Sequence, residues 1–545
     1  MEDQSNSNNL KRSRPPVVIE ISSDEDQDDQ ILHPSKKKII NEPSSSNANT
    51  FPSRQERLKL ESERLSRQRQ REHLNNSSSS TTSNHQSINP LNHKNNHDPS
   101  VKHYWDSSIF RTFNRWKPNS TNSIRIEEII GPKTSLKIAL VSSYVADLAW
   151  IHGLFDSTTR IMVIKHDPEE GTFKVNERQN MFLCHPPLRK TANCKTRSGC
   201  MHIKFFILYY DTFCRVAITT ANAVDFDYDI IENSVWIQDF PLAVKITGQQ
   251  QTAVSSFQRD LEALLQHMGV PSVFSKPLDD FNFQSAAANL IVSIQGTHPL
   301  PESKMGQLAL AKELKSMGLQ SGCDTGRHVI LECMGSSIGA YDTSWLQSFH
   351  SCACGQTPGH DIAQTSQASK TNVPITILFP TLQTIKSSLT GTQGAGTIFC
   401  NKSVWQKAGF PTTLFADAIS KRSGVLMHVK MILGLFSTDL EPEKKLAQGQ
   451  STSEDGSTPY IHKNALGFLY IGSHNFTPAA WGRFVTKGNP KEYSHLDISN
   501  WELGVICSLT SNEQIEQYIP WERPVRKYGH GSKDSKIPWM QHSYR

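Results

Sequence analysis

Two stretches of the chain repeat one design. MHIKFFILYY at 201–210 carries His202 and Lys204, and MHVKMILGLF at 427–436 carries His428 and Lys430. Each is followed by a small polar turn that closes on asparagine, TTAN ending at Asn222 and GSHN ending at Asn475. One His-x-Lys pair says little in a chain with 21 histidines. Two copies in the same apolar frame, with the same trailing element, call for a fold of two similar halves that bring their sets together in one phosphate-handling site.

Apolar runs such as SLKIALVSS, RIMVIKHD, RVAITTAN, SVWIQDF, NLIVSI, HVILEC, ITILFPT, GTIFC, GFLYIGSHN and WELGVICSL read as buried strands, as do the two His-x-Lys segments. Helical patterns over 143–154, 248–268 and 302–317 lie among them. Strands and helices interleaved in this way indicate an α/β fold, with a mixed sheet flanked by helices in each half. The passage NLIVSIQGTHPLPESKMG runs from a strand through Gly and Pro into a new helix, and places a first domain at 104–295 and a second at 296–545. The polar stretch 437–466 reads as a surface excursion between two strands.

Residues 1–103 are too poor in apolar side chains to offset chain entropy and read as a disordered tail, with a thinly amphipathic charged helix at 56–74. In that tail Val17–Ile21 precedes the acidic run at 22–26. This order resembles a SUMO-interacting motif and implies SUMO as a partner through strand addition. The basic clusters at 11–14 and 36–38 resemble nuclear-localisation signals and point to the nucleus. The N-terminus lacks the apolar core of a secretory signal, and no run approaches the roughly 18 apolar residues of a membrane span, so an intracellular protein with no membrane partner is expected. Ten irregularly spaced cysteines agree with a reducing compartment. His350, Cys352, Cys354 and His360 have the residue types of a zinc site, but a C-x-C spacing without a second pair favours a plain polar loop. The net charge of +5 is mild and resides in the folded part, which suits a polyanionic ligand.

Alternation along a strand puts His202 and Lys204 on one face, and likewise His428 and Lys430. A neutral histidine can attack phosphorus while a protonated one donates to the leaving oxygen. Two lysines and two asparagine amides supply the donors that neutralise a five-coordinate phosphoryl group. Such a set needs no metal or cofactor, and no clustered carboxylates of a two-metal nuclease are visible.

The sets resemble the phospholipase D superfamily and, within it, the tyrosyl-DNA phosphodiesterase branch. Ordinary members carry an aspartate seven residues after the histidine; here Tyr209 and Leu435 stand there. VSSYVADLAWI, TTANAVDFDY, SSIGAYDTSWL, SHNFTPAAWG, WELGV and YGHGSKDSKIPW extend the resemblance from about Ser107 to the C-terminus. It implies two phospholipase D-like domains with the active site at their pseudo-two-fold interface. It also implies His202 as nucleophile, His428 as general acid and base, and Lys204, Lys430, Asn222 and Asn475 as phosphate ligands. Glu502 would orient a catalytic histidine, and Asn233 stands where the family has a glutamine in the corresponding role. Ser337 and Gly339, in a DNA-phosphate-binding turn at 335–339, together with Ser473 and Tyr144 would contact substrate. Ser198 stands where the family often has a base-stacking aromatic. The implied partners are 3′ ends of single- and double-stranded DNA and a topoisomerase I-derived peptide, handled by a monomer with exonuclease-like removal of 3′ blocks. A phospholipase or nonspecific nuclease of the superfamily, and a silent scaffold recruited through the tail, are the competing readings. The missing aspartates weigh against the first, and the retention of both motifs against the second.

Overall fold

The computed structural model describes residues 102–540 apart from 168–169, 176, 189–198, 245–253, 301, 323–324, 358–372, 439–461, 463 and 487–492. The SUMO-like segment Val17–Ile21, the basic clusters, the helix at 56–74, Ser198, His360 and most of the excursion at 437–466 lie outside the described residues.

The first half contributes β1 (Ser108–Thr112), β2 (Ser123–Ile124), β3 (Leu136–Ser143), β4 (Arg160–Lys165), β5 (Gly171–Lys174), β6 (Met181–His185), β7 (Phe205–Tyr210), β8 (Phe213–Thr219) and β9 (Ser234–Pro241). They form one sheet in the order β2-β1-β9-β8-β7-β3-β4-β6-β5. The second half contributes β10 (Asn289–Ser293), β11 (Gly296–Pro299), β12 (Arg327–Met334), β13 (Ile375–Phe379), β14 (Phe415–Asp417), β15 (Met431–Thr438), β16 (Gly467–Gly472), β17 (Arg483–Thr486), β18 (Tyr493–Ile498), β19 (Glu502–Leu509) and β20 (Arg526–Lys527). Its main sheet runs β10-β19-β16-β15-β12-β13-β14-β20, with β11-β18-β17 as a small separate sheet. β10 pairs with β19, so the chain has already crossed into the second sheet by Asn289.

Six strands of each sheet follow one plan. In the first, β9, β8, β7 and β3 are mutually antiparallel neighbours, and β3, β4 and β6 are parallel. In the second, β19, β16, β15 and β12 repeat the antiparallel part, and β12, β13 and β14 the parallel part. The duplicated motif is therefore a duplicated mixed α/β architecture.

Period-two alternation builds three apolar layers. Phe205, Ile207 and Tyr209 of β7 point into a core shared with Met431, Leu433, Leu469 and Ile471 of the second sheet. Phe206, Leu208 and Tyr210 face the outer core of the first half. Phe468 and Tyr470 face a second outer core covered by the helices Gly306–Ser316 and Thr343–Ala353.

The helices are shorter than the sequence pattern suggests. β3 continues through Ser143, and the helix expected from there starts at Leu148, where the Asp147 carboxylate accepts from the amides of Ala149 and Trp150. The expected second helix runs Ser256–His267 behind a Ser255 cap, and the third begins at Gly306. GTIFC at 396–400 is not a strand; it contributes one bridge, Ser337 to Phe399. The expected polar loop at 350–354 is the buried end of the helix Thr343–Ala353, with Cys352 fully enclosed. Among the described residues no group of three or more His, Cys, Asp or Glu is placed to hold a metal, every cysteine is free, and no helix is long and apolar enough to cross a membrane.

Gly472 and Gly504 are cross-strand partners in β16 and β19. A Cβ on Gly504 would stand 2.3 Å from the Tyr470 ring, and one on Gly472 would stand 2.4 Å from the Gly504 Cα. The pair leaves room for Tyr470, whose hydroxyl bonds the buried His474 inside the GSHN turn. Gly504→Ala is expected to lower unfolding free energy by about 1–3 kcal/mol through overpacking, read as a reduced denaturant midpoint. An unchanged midpoint would show that Tyr470 has room to move.

Candidate active site

Both His-x-Lys segments leave the ladder of their own sheet and pair across the seam with the other half. β7 and β15 begin only at Phe205 and Met431, so the strand placement expected for the histidines and lysines is corrected: they lie just before the strands. Met201 bridges Trp501, with His202 N–H donating to Trp501 O (2.9 Å) and Trp501 N–H to Cys200 O (2.7 Å). In mirror fashion Met427 bridges Glu232, with His428 N–H donating to Glu232 O (2.8 Å) and Glu232 N–H to Leu426 O (2.8 Å). Each lysine ammonium turns back on its own motif, Lys204 Nζ to His202 O (2.9 Å) and Lys430 Nζ to His428 O (2.7 Å). Both lysines are buried.

The hydrogen bonds fix the tautomers. His202 Nδ1 lies 2.9 Å from both Glu502 Oε2 and the carbonyl of Ser473. Both are acceptors, so Nδ1 carries the proton and Nε2 keeps its lone pair. Glu502 is fully buried and also accepts from Ser473 Oγ (2.6 Å) and Asn500 Nδ2 (3.0 Å). Burial acts to raise its pKa, but His202 and these donors outweigh that and hold the carboxyl below its ordinary value. For His428 the donor Lys430 Nζ sits 2.9 Å from Nε2, so Nδ1 bears the proton and faces Asp227 Oδ2 at 3.3 Å. That separation suits charge attraction but lies off the line of a good hydrogen bond.

Burial lowers the pKa of both histidines. For His202, Glu502 opposes the shift while Lys204 and Lys430 add to it. His428 is pushed down to about 3, by burial first and then by Lys430, with Lys204 contributing from the other half and Asp227 opposing. Each histidine thus feels the lysine of the other motif, as members of one site must. Both are therefore neutral near pH 7. The second histidine, expected to be protonated, is not, because burial and the Lys430 ammonium outweigh Asp227.

The asparagines are aimed by their acceptors. Asn475 Oδ1 receives the N–H groups of Ser336 (3.0 Å) and Ser337 (3.2 Å) and the Ser336 hydroxyl (3.2 Å), which leaves its NH2 as the donor end. Asn222 Oδ1 receives Val145 N–H at 3.4 Å in the equivalent place after β3, and Asn222 N–H donates to Asp227 Oδ2 (2.7 Å).

A family model described as tyrosyl-DNA phosphodiesterase matches residues 108–539. The chain belongs to the tyrosyl-DNA phosphodiesterase family. Tyrosyl-DNA phosphodiesterase 1 of Arabidopsis thaliana is 21% identical over 407 residues, 71% of this chain and 59% of that protein, so the chain spans about three fifths of that relative's length. A crystal structure of the yeast tyrosyl-DNA phosphodiesterase superposes with a TM-score of 0.54 at 15% identity, covering 78% of this chain and 98% of that one. A mutant form of the yeast protein gives 0.55, also at 15% identity, over 78% and 97%. These likenesses show the fold.

Several site expectations for this tyrosyl-DNA phosphodiesterase family member change. Asn233 touches neither histidine: its amide donates to Asp227 O (3.0 Å) and its Oδ1 accepts from Thr220 Oγ1 (2.8 Å), because the side chain is too short to pass Asp227. Asp227, which sequence reasoning missed, faces His428 instead; a second carboxylate in TTANAVDFDY was its only signal. Three amides of the 335–339 turn already have acceptors within the protein. Those of Ser336 and Ser337 serve Asn475, and that of Ile338 donates to Phe399 O. Gly339 is small because a Cβ would meet the Thr477 side chain at 2.9 Å. Ser473 is fully buried, its hydroxyl donating to Glu502 and accepting from the Leu503 amide. Tyr144 is only partly buried, its ring 5.5 Å from that of His202. Tyr209 and Leu435, at the positions of the superfamily aspartates, pack into the shared core.

The neutral burial of His428 has a thermodynamic signature. Its unfolded pKa is near 6.5 and its folded value about 3, so between these values the unfolded chain binds the extra proton. Stability from this group is intact above pH 6.5 and is lost as pH falls toward 3. His428→Gln is expected to lose less stability than wild type between pH 7 and pH 4 in urea titrations. Equal losses would count against the assignment.

Proposed function

We propose that the protein is a DNA-repair phosphodiesterase that hydrolyses the bond between a DNA 3′-phosphate and a tyrosine, freeing ends blocked by topoisomerase I peptides and by other 3′ adducts. The observation that carries this reading is that both imidazoles hold their proton on Nδ1, each against a carboxylate supplied by the other half, and keep the lone pair on Nε2. His202 presents a lone pair at Nε2, and His428 presents its own Nε2 to Lys430 on the other side of one shared site.

A phosphodiester anion set against Lys204 and Lys430 offsets their charge and raises the pKa of His428 against the burial that lowers it. His202 Nε2 then attacks phosphorus. The P–O bond to tyrosine breaks, and His428 gives its proton to the phenolate oxygen. A phosphohistidine joined to the DNA 3′ end results. Neutral again, His428 takes a proton from water, which displaces His202 and leaves a 3′-phosphate. A phenol with pKa about 10 leaves more readily than a deoxyribose hydroxyl, which favours tyrosyl linkages over the DNA backbone. Glu502 holds the His202 tautomer and stabilises the positive charge that develops on its ring. The Asn222 and Asn475 amides supply further donors to the nonbridging oxygens. The reading includes action as a monomer without a metal, and residence in the nucleus on the strength of the basic clusters.

The test is release of tyrosine from a 3′-phosphotyrosyl oligonucleotide in excess EDTA; no release overturns the reading. The order of roles makes a second prediction. His428→Asn should accumulate a covalent protein–DNA band on a denaturing gel, and His202→Ala should form none. A band with His202→Ala, or none with His428→Asn, would reverse or refute the assignment.

A further inference from the structure

The two histidines are seated by different means. His202 rests on the backbone of Trp501, whose side chain is apolar and buried, and its ring is held by the 2.9 Å bond to Glu502. His428 rests on the backbone of Glu232, a fully buried carboxylate, and its ring meets Asp227 off line at 3.3 Å and, at Nε2, the Lys430 ammonium of its own motif (2.9 Å). Its orientation therefore depends more on where the backbone holds it.

Glu232 grips the segment that leads into His428 at both ends. Its carboxylate accepts from the hydroxyl of Ser420 and faces Arg422 Nε at 3.7 Å, while its own N–H and C=O pair with Leu426 and His428. Arg111 of β1 closes the cluster from the first half, with Nη1 3.5 Å from Glu232 Oε1. Arg422 Nη1 in turn donates to Thr112 O (2.6 Å), the residue next to Arg111. All three charged side chains are enclosed, with exposures of 10%, 0% and 3% for Arg111, Glu232 and Arg422. A buried ionic cluster adds little net stability over an apolar replacement; its best-attested use is to fix one register among several. Here the register it fixes is that of residues 420–428 against the first sheet.

We propose that Glu232, clamped between Arg111 and Arg422, is a positioning residue that holds His428 across the seam between the two sheets. The catalytic consequence rests on the proposed function; the clamp itself does not. A histidine that serves first as acid and then as base must meet two oxygens in succession from one position, so displacement of its backbone falls hardest on the second step. Displacement of about 1 Å can cost on the order of 100-fold.

The experiment uses Glu232→Gln in the full chain, together with Glu232→Gln/Arg111→Met, which removes one of the two arginine charges should the single variant fold poorly. Hydrogen exchange followed by mass spectrometry is expected to show faster exchange in peptides spanning 420–430 and none of that change in peptides spanning 200–204. In single turnover on a 3′-phosphotyrosyl oligonucleotide, decay of the covalent species should slow by roughly 10- to 100-fold, with its formation near wild type. Unchanged exchange at 420–430 overturns the proposal. Equal slowing of formation and decay overturns it too, since a merely structural defect would do that. If wild type fails to cleave while the exchange difference is present, the functional reading falls and the clamp stands.

Discussion

The exchange of short backbone segments across the seam is the constraint on which the rest of the structure depends. Cys200–His202 pairs with Trp501, and Leu426–His428 pairs with Glu232. Each half therefore completes the seat of the other half's histidine. The shared apolar core behind these bridges, with β7 and β15 side chains interdigitated, keeps the two sheets at the separation that the pairing needs. Neither half alone holds a histidine, its backbone acceptor and its carboxylate.

Symmetry in the backbone coexists with asymmetry in the electrostatics. Thr219 N–H donates to Lys204 O, and Gly472 N–H donates to Lys430 O, three residues before each asparagine, so the two turns are superposable in plan. The carboxylates break the match. Glu502 bonds Nδ1 of His202 in line, whereas Asp227 stands off from His428 and is shared with the Asn222 amide. Burial, and the two enclosed lysines after it, keep both histidines neutral against the pull of Glu502 and Asp227.

Much of this was legible in the chain. The duplicated frames carried the α/β class, the two-sheet plan and the six conspicuous polar residues, because strand alternation and motif spacing are local properties. Element ends were less so: the helix expected at 143 starts at Leu148, since β3 runs on and Asp147 supplies the cap. Roles that depend on who else reaches a group were not legible. Ser473 and the amides of Ser336 and Ser337 look like open donors in sequence and are already committed to Glu502 and Asn475. Asn233 holds the place of an orienting residue, but its amide is spent on Asp227 O and Thr220 Oγ1.

The sequence by itself determined that there are two similar halves, that each carries a histidine, a lysine and an asparagine in the same frame, and that Tyr209 and Leu435 stand seven residues after the two histidines. It could do so because each His-x-Lys frame and each asparagine turn is a short contiguous string that can be recognised without its partners. Only the tertiary structure decided which carboxylate serves which histidine, which ring nitrogen keeps its lone pair, and that Glu232, Arg111 and Arg422 meet beneath His428. Those carboxylate and arginine contacts join residues 121 to 310 positions apart. Protonation and orientation in a buried site depend on such distant partners as well as on near neighbours such as Lys430, and only the fold brings the distant ones in.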